Sequence, residues 1–136
     1  MQNQHEKQLF SRFPFFHPEN GHSLMRYGFQ CHDGWFDMLV DECNDIARSL
    51  ESNPDPGFEI TQVKVKYGAI RVSTRAAQPD EIAAIIKKYE DLSSRTCEIC
   101  GDPARKIVIH DWIWTLCETH SNEVKSSKTY RARAYA

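Results

Sequence analysis

The run Gln62-Val63-Lys64-Val65-Lys66-Tyr67-Gly68-Ala69-Ile70-Arg71 decides the fold class that the sequence predicts. Apolar and basic residues alternate on both sides of Gly68, which is typical of two half-buried strands joined by a tight turn. We therefore expect a β-hairpin over residues 58–75. Its buried face is predicted to carry the apolar residues Val63, Val65, Tyr67, Ile70 and Val72.

The other face of this hairpin is predicted to be basic. Side chains alternate between the two faces of a strand, so this face is expected to carry Lys64, Lys66, Arg71 and Arg75. Like charges that face one another across strands destabilise a hairpin slightly. Two interpretations stay open: the charges are screened by solvent or neutralised by the acidic helix before the hairpin, or these residues bind an acidic partner.

A helix is predicted on each side of the hairpin. The first has a cap at Asp33 and ends before residues 53–57, which contain two prolines and a glycine. Its polar side includes Glu42, and its apolar stripe consists of Trp35, Leu39, Cys43, Ile46 and Leu50. The second starts at Pro79, and its stripe consists of Ile82, Ile85, Ile86, Tyr89 and Leu92. Helix, hairpin and helix make an α+β body over residues 33–95.

Residues 1–32 are rich in aromatic side chains. Pro14, Pro18 and Gly21 interrupt this segment and argue against a long helix. We expect an irregular arm whose rings pack over the core. The alternative is an exposed aromatic patch that binds a partner.

Two pairs of potential metal ligands follow the body. The sequence has Cys97-Glu98-Ile99-Cys100, then a sixteen-residue spacer that begins with Gly101, and then Cys117-Glu118-Thr119-His120. Thiolate and imidazole groups are common zinc ligands, and two such pairs complete a tetrahedron. We predict a structural Zn²⁺ bound by Cys97, Cys100, Cys117 and His120, because four protein ligands leave no position for a catalytic water.

The ligand pairs predict a zinc-ribbon or treble-clef-like module over residues 96–124. Two short strands are expected between the pairs, and a helix is expected to begin near His120. Gly101 suits a positive-φ turn after the second cysteine. His110 and Asp111 either contact the metal ligands or are ordinary surface residues. Residues 125–136 are predicted to form a basic tail with two tyrosines.

Composition narrows the class of protein. The 136 residues suit one domain with a small appendage, and no apolar run reaches the roughly 18 residues of a membrane span. The first residues do not resemble a signal peptide, so we expect a cytoplasmic protein whose five cysteines are reduced thiols or metal ligands. The net charge of −2 is divided unevenly, with an acidic first part and a basic second part.

The chain resembles a family of small phage, prophage and bacterial proteins. The resemblance rests on Asp33-Gly34-Trp35-Phe36-Asp37, on residues 62–71, and on the Cys97–Gly101 motif with Trp114-Thr115-Leu116-Cys117 and His120. It covers roughly residues 30–121. It implies a zinc-bearing C-terminal module on an α+β body and brings no established activity.

These observations favour a non-enzymatic, zinc-stabilised binding protein. The resemblance suggests a phage-type protein that engages a host protein, with inhibition of a defence or nucleic-acid-processing enzyme as one outcome. The alternative is a nucleic-acid-binding zinc protein, which the basic hairpin face and tail would suit. A His-Asn-His-like nuclease is less favoured, because the spacer offers only His110 as a catalytic base. No small-molecule substrate is indicated.

Overall fold

The computed structural model describes residues 1–127 and is mixed α+β. Its helices are α1 (Asn3–Arg12), α2 (Phe36–Ser52), α3 (Asp80–Ser93) and α4 (Glu118–Ser126). Two antiparallel hairpins are formed by β1 (Ile60–Lys66) with β2 (Ala69–Thr74), and by β3 (Arg105–Ile109) with β4 (Trp112–Leu116). The predicted fold class is confirmed. No helix within residues 1–127 is long and apolar enough to cross a membrane.

The N-terminal segment contains a helix that the sequence analysis did not predict. Helix α1 ends at Arg12, just before Phe13 and Pro14, so the prolines fix its end without preventing it. The rings of Phe13, Phe15, Phe16 and Phe29 are all buried in the main core. Ordinary packing of these rings is therefore confirmed, and the expectation of a wholly irregular arm was wrong.

Residues 15–30 also cover the outer edge of β1. The Ile60 N–H donates to the Phe15 carbonyl at 3.0 Å. Further along, the Gln30 N–H donates to the Val63 carbonyl and the Val65 N–H donates to the Gln30 carbonyl, both at 3.0 Å. Residues 15–30 are thus hydrogen-bonded to the first hairpin and share its hydrophobic core.

The β1–β2 hairpin has the predicted alternation but a tighter turn. Lys66 pairs with Ala69, which leaves Tyr67 and Gly68 as a two-residue loop with φ angles of 53° and 73°. Positive φ at both positions is the geometry that suits the twist of a two-residue hairpin. Tyr67 is 62% exposed, so the prediction that it lies on the buried face was wrong.

Helix α2 carries its predicted stripe, but two details differ. Asp33 does not cap it, because the helix begins at Phe36 and the Asp33 carboxylate instead accepts the Gln2 N–H at 2.9 Å. Glu42, predicted on the polar side, is only 1% exposed. Neither of its carboxylate oxygens has a hydrogen-bond partner within residues 1–127. Burial, together with the nearby Asp45 carboxylate, raises the pKa of Glu42 to about 8.

The C-terminal residues build a second, smaller core. It lies between the β3–β4 hairpin and α4, and its buried members are Cys97, Ile109, Trp114, Leu116 and Val124. A hairpin followed by a helix agrees with the predicted zinc-ribbon or treble-clef-like module. The predicted basic tail falls mostly on residues 128–136, which lie outside the described residues.

Candidate metal centre

The four predicted ligands converge on one point. The Sγ atoms of Cys97, Cys100 and Cys117 and a ring nitrogen of His120 all lie within 4.8 Å of one another. The Cys100 and Cys117 sulfurs are 3.8 Å apart, and the Cys117 sulfur is 3.2 Å from His120 Nδ1. A tetrahedral zinc ion with ordinary bond lengths separates two sulfur ligands by about 3.8 Å and a sulfur from a nitrogen by about 3.6 Å. The cluster therefore fits Zn²⁺.

The first ligand pair is held by a tight backbone knuckle. The Cys97 N–H donates to the Asp102 carbonyl at 2.8 Å, and the Gly101 N–H donates to the Cys97 carbonyl at 2.9 Å. Gly101 has a φ of 83°, which confirms the predicted positive-φ turn. The Cys97 side chain is fully buried, whereas Cys100 is exposed, so the cluster has one side in the small core and one side near solvent.

The second ligand pair is positioned by the start of α4. Cys117 occupies the N-cap position, where its sulfur accepts the His120 N–H at 3.5 Å. Burial raises the pKa of the Cys117 thiol, but hydrogen bonds from the His120 backbone and ring outweigh this effect and bring the pKa to about 7. A thiolate at a helix N-terminus is also favoured by the helix dipole. The local fold thus favours the thiolate that a metal requires.

Glu123 lies beside the outer ring nitrogen of the histidine. Its Oε2 lies 3.6 Å from His120 Nε2, one helical turn along α4, while Nδ1 faces the sulfurs. A carboxylate that accepts a hydrogen bond from the second ring nitrogen fixes the tautomer of a metal-binding histidine, and Glu123 is the carboxylate nearest to that nitrogen within residues 1–127. The sequence analysis did not single out Glu123, although its spacing of three residues from His120 on a helix was the available signal.

His110 and Asp111 do not join this cluster. They form the two-residue turn between β3 and β4, with φ angles of 52° and 64°. His110 Nε2 instead lies 3.4 Å from the Lys125 carbonyl oxygen. Of the two interpretations given above, that of ordinary surface residues is the one this position supports.

The metal knuckle also packs directly against the body. The Gly34 N–H donates to the Glu98 carbonyl at 2.9 Å, and the Trp35 indole N–H donates to the Thr96 carbonyl at 2.9 Å. A Cβ on Gly34 would lie 2.3 Å from the Cys97 carbonyl oxygen, a distance that real side chains do not reach. Gly34 is therefore required for this contact, a role that no sequence pattern indicated.

Glu98 is the buried polar residue of this knuckle. It accepts the Thr115 N–H through Oε2 at 2.7 Å, and its own N–H donates to the Thr115 carbonyl at 3.0 Å. The Thr115 hydroxyl in turn donates to the Gly68 carbonyl in the turn of the first hairpin. The metal knuckle, strand β4 and the first hairpin are thus connected by hydrogen bonds.

The other two cysteines lie apart from the cluster. Cys31 and Cys43 are both buried in the main core, and neither forms a disulfide. Burial raises the pKa of the Cys31 thiol to about 12. The burial of Cys43 agrees with its predicted place on the apolar stripe of α2.

Three of the four basic hairpin residues share one surface. Lys64, Lys66 and Arg71 line an open cavity of about 450 Å³ between the hairpin and α3. Arg75 follows the end of β2 and does not line it. Arg71 Nε lies 3.8 Å from the Glu90 Oε1 of α3. The acidic neighbour of Arg71 thus belongs to α3 and not to the acidic helix before the hairpin, which one of the two open interpretations named.

Comparisons of the chain with family models, with curated proteins and with solved structures find no match.

Proposed function

We propose that the chain is a zinc-stabilised binding protein without catalytic activity of its own. The observation that carries this proposal is the convergence of three sulfurs and one imidazole nitrogen within 4.8 Å. Four protein ligands complete a tetrahedral zinc shell, so the metal would have no open position for a substrate or an activated water. The role that remains for the ion is structural.

The size of the second core supports a structural role for zinc. Only five buried apolar residues, Cys97 among them, make up this core within the described chain. A core of this size contributes little stability, and small modules commonly depend on a metal for folding. Zinc binding would then contribute directly to folding of the module. It would also support the start of α2 through Gly34 and the turn of the first hairpin through Thr115.

The proposed partner is another protein. The basic surface of Lys64, Lys66 and Arg71 is open, and complementary charge increases the rate and orientation of protein association. The resemblance to phage and prophage proteins supports a host protein as the partner, with inhibition of a defence or nucleic-acid-processing enzyme as one outcome. Affinity capture from host lysate with and without nuclease treatment tests whether the interaction is with protein.

Nucleic-acid binding is the second candidate, and the same three basic residues favour it. Phosphate contacts release counterions, so such binding would weaken steeply as salt concentration rises. A binding assay with DNA and RNA over a range of salt concentrations separates this candidate from a protein partner. Captured protein that is lost after nuclease treatment would also favour it.

A further inference from the structure

Strand β2 keeps one open hydrogen-bonding position on its outer edge, at Val72. Val63 and Val65 direct their backbone groups to Gln30, away from β2. In the hairpin, Val63 lies opposite Val72 and Val65 lies opposite Ile70. These are non-hydrogen-bonded pairs, so the backbone groups of Ile70 and Val72 point to the outer edge of β2. Ser93 Oγ accepts the Ile70 N–H at 2.9 Å and closes that position. The Val72 N–H and carbonyl have no hydrogen-bond partner within residues 1–127.

The open position at Val72 lies in one wall of the cavity between the hairpin and α3. The cavity runs between Val72–Ser73 of β2 and Ala83–Glu90 of α3, and its volume is about 450 Å³. Its lining therefore combines unpaired backbone groups with apolar side chains of α3. We name it the basic cleft, and it is lined by Gln62, Lys64, Lys66, Arg71, Val72, Ser73, Gln78, Ala83, Ile86, Lys87 and Glu90.

The charge of the basic cleft is positive. Four of its lining residues are basic, and Glu90 is the acidic one. Arg71 is held by Glu90 at 3.8 Å and Lys87 by Asp91 at 2.7 Å, whereas Lys64 makes no ion pair with any residue from 1 to 127. Lys66 lies 5.7 Å from the ring centre of Tyr67. An occupant with carboxylates would meet at least two basic side chains without acidic partners.

We propose that the basic cleft binds an extended acidic segment of a partner protein, which adds to the edge of β2 as a further strand. This inference rests on the proposed binding function and specifies the recognition. Backbone pairing with Val72 supplies the hydrogen bonds of strand addition. Every second side chain of the added strand lies on the face of Arg71, where a carboxylate is paired with a basic neighbour.

An extended peptide suits the cleft better than a nucleic acid does. The outward groups of Val72 are one donor and one acceptor from the same residue, which is the pattern that a neighbouring peptide backbone satisfies. A phosphate accepts hydrogen bonds but donates none. The phosphate backbone, which is the part of a nucleic acid that basic residues attract, would therefore leave the Val72 carbonyl unpaired.

The test is a nitrogen-15 NMR titration of the zinc-loaded protein with a capped peptide of about ten residues, the length of a long strand, in which Glu and Thr alternate. We expect saturable shifts of the Val72 amide and of neighbouring cleft residues with an affinity of about 1 mM or tighter, which NMR detects. The same peptide N-methylated at every residue keeps the carboxylates but cannot pair as a strand. It should fail to produce these shifts.

Separate substitutions test the contribution of charge and the contribution of backbone pairing to peptide binding. Lys64→Glu with Arg71→Glu should weaken peptide binding at least about tenfold, whereas the matched reversal Lys7→Glu with Lys106→Glu, outside the cleft, should not. Val72→Pro removes the outward N–H without touching the β1–β2 ladder. It should abolish binding, and the N-methylated peptide tests the same point if this variant does not fold.

Absence of saturable shifts on the zinc-loaded protein would overturn the acidic-strand proposal. Equal binding of the N-methylated peptide would also overturn strand addition. Shifts of the cleft amides by a thymidine oligonucleotide, with none from the peptide, would assign the cleft to nucleic acid instead. Each of these failures leaves the zinc measurement unaffected, so it is distinguishable from failure of the zinc-stabilised fold.

Discussion

The backbone N–H of Gly34 donates to the carbonyl oxygen of Glu98 at 2.9 Å, which joins the start of α2 to the first metal knuckle. Around this bond, the Trp35 indole bonds the Thr96 carbonyl, and the His32 ring stacks on Trp114 at a centroid distance of 5.6 Å. The candidate metal site is therefore continuous with the α+β body, and changes at the junction should affect both.

Gly34→Ala tests this junction. The added Cβ would lie 2.3 Å from the Cys97 carbonyl, so the knuckle and α2 must separate. We expect a loss of about 1–3 kcal/mol in the free energy of unfolding, as in other overpacked sites. Denaturant unfolding of the zinc-loaded protein measures it. Gly21→Ala is the matched control, because nothing lies within 4 Å of a Cβ there. Equal stabilities of the two variants would contradict the proposed contact.

Glu42 should make the stability of the fold depend on pH. Its pKa is raised from 4.5 to about 8 by burial and by Asp45. Between these values the unfolded chain releases the Glu42 proton while the folded chain keeps it. The contribution of Glu42 to the free energy of unfolding is therefore at its highest below pH 4.5. It decreases as pH rises and becomes constant above about pH 8.

Glu42→Gln removes this titration while keeping the shape of the side chain. We expect the variant to exceed the parent in free energy of unfolding by about 1–3 kcal/mol at neutral pH, with the difference shrinking as pH falls to about 4. Urea unfolding at several pH values is the measurement. Glu51→Gln, on an exposed position of the same helix, should show no such trend. A pH-independent difference for Glu42→Gln would refute the buried-carboxyl account.

Reversal of two basic residues tests whether the hairpin needs them for folding. Lys64 and Arg71 are cross-strand partners of like charge, and Arg71 is 45% exposed beside Glu90. We expect Lys64→Glu with Arg71→Glu to change stability by only about 0.5 kcal/mol, as most surface substitutions do. Circular dichroism and thermal unfolding check this. An unfolded double variant would mean that the Arg71–Glu90 contact is needed for the fold.

The state of the remaining cysteines gives a simple chemical count. Cys31 and Cys43 are free and buried, and the three cluster cysteines are also free of disulfides, in positions where they could bind a metal ion. Thiol titration of the denatured protein in the presence of a chelator should therefore give five free thiols. Three free thiols would show a disulfide and contradict the assignment.

The sequence predicted the parts that depend on local periodicity. The stripe of α2, the β1–β2 alternation and the two ligand pairs each repeat at a spacing set by a helix, a strand or a knuckle. Position 67 was misassigned because alternation alone does not tell where a two-residue turn interrupts it. Glu42 was misassigned because a charged residue was taken as exposed, whereas the tertiary structure buries it.

Sequence patterns did not predict the contacts between distant segments. Gly34 and Glu98 lie 64 positions apart, and no periodicity connects them. The same is true of the hydrogen bond from the Thr115 hydroxyl to the Gly68 carbonyl and of the basic cleft between β2 and α3. Tertiary packing alone determines which local elements meet, so the basic face could be predicted but its wall on α3 could not.

The metal content of the purified protein tests the central claim most directly. We expect mass spectrometry to find one equivalent of zinc per chain, held by Cys97, Cys100, Cys117 and His120. We also expect Cys97→Ser to lower both zinc content and stability, because metal binding at such a site is part of the folding free energy. A fully folded preparation with well under half an equivalent of zinc would contradict the account.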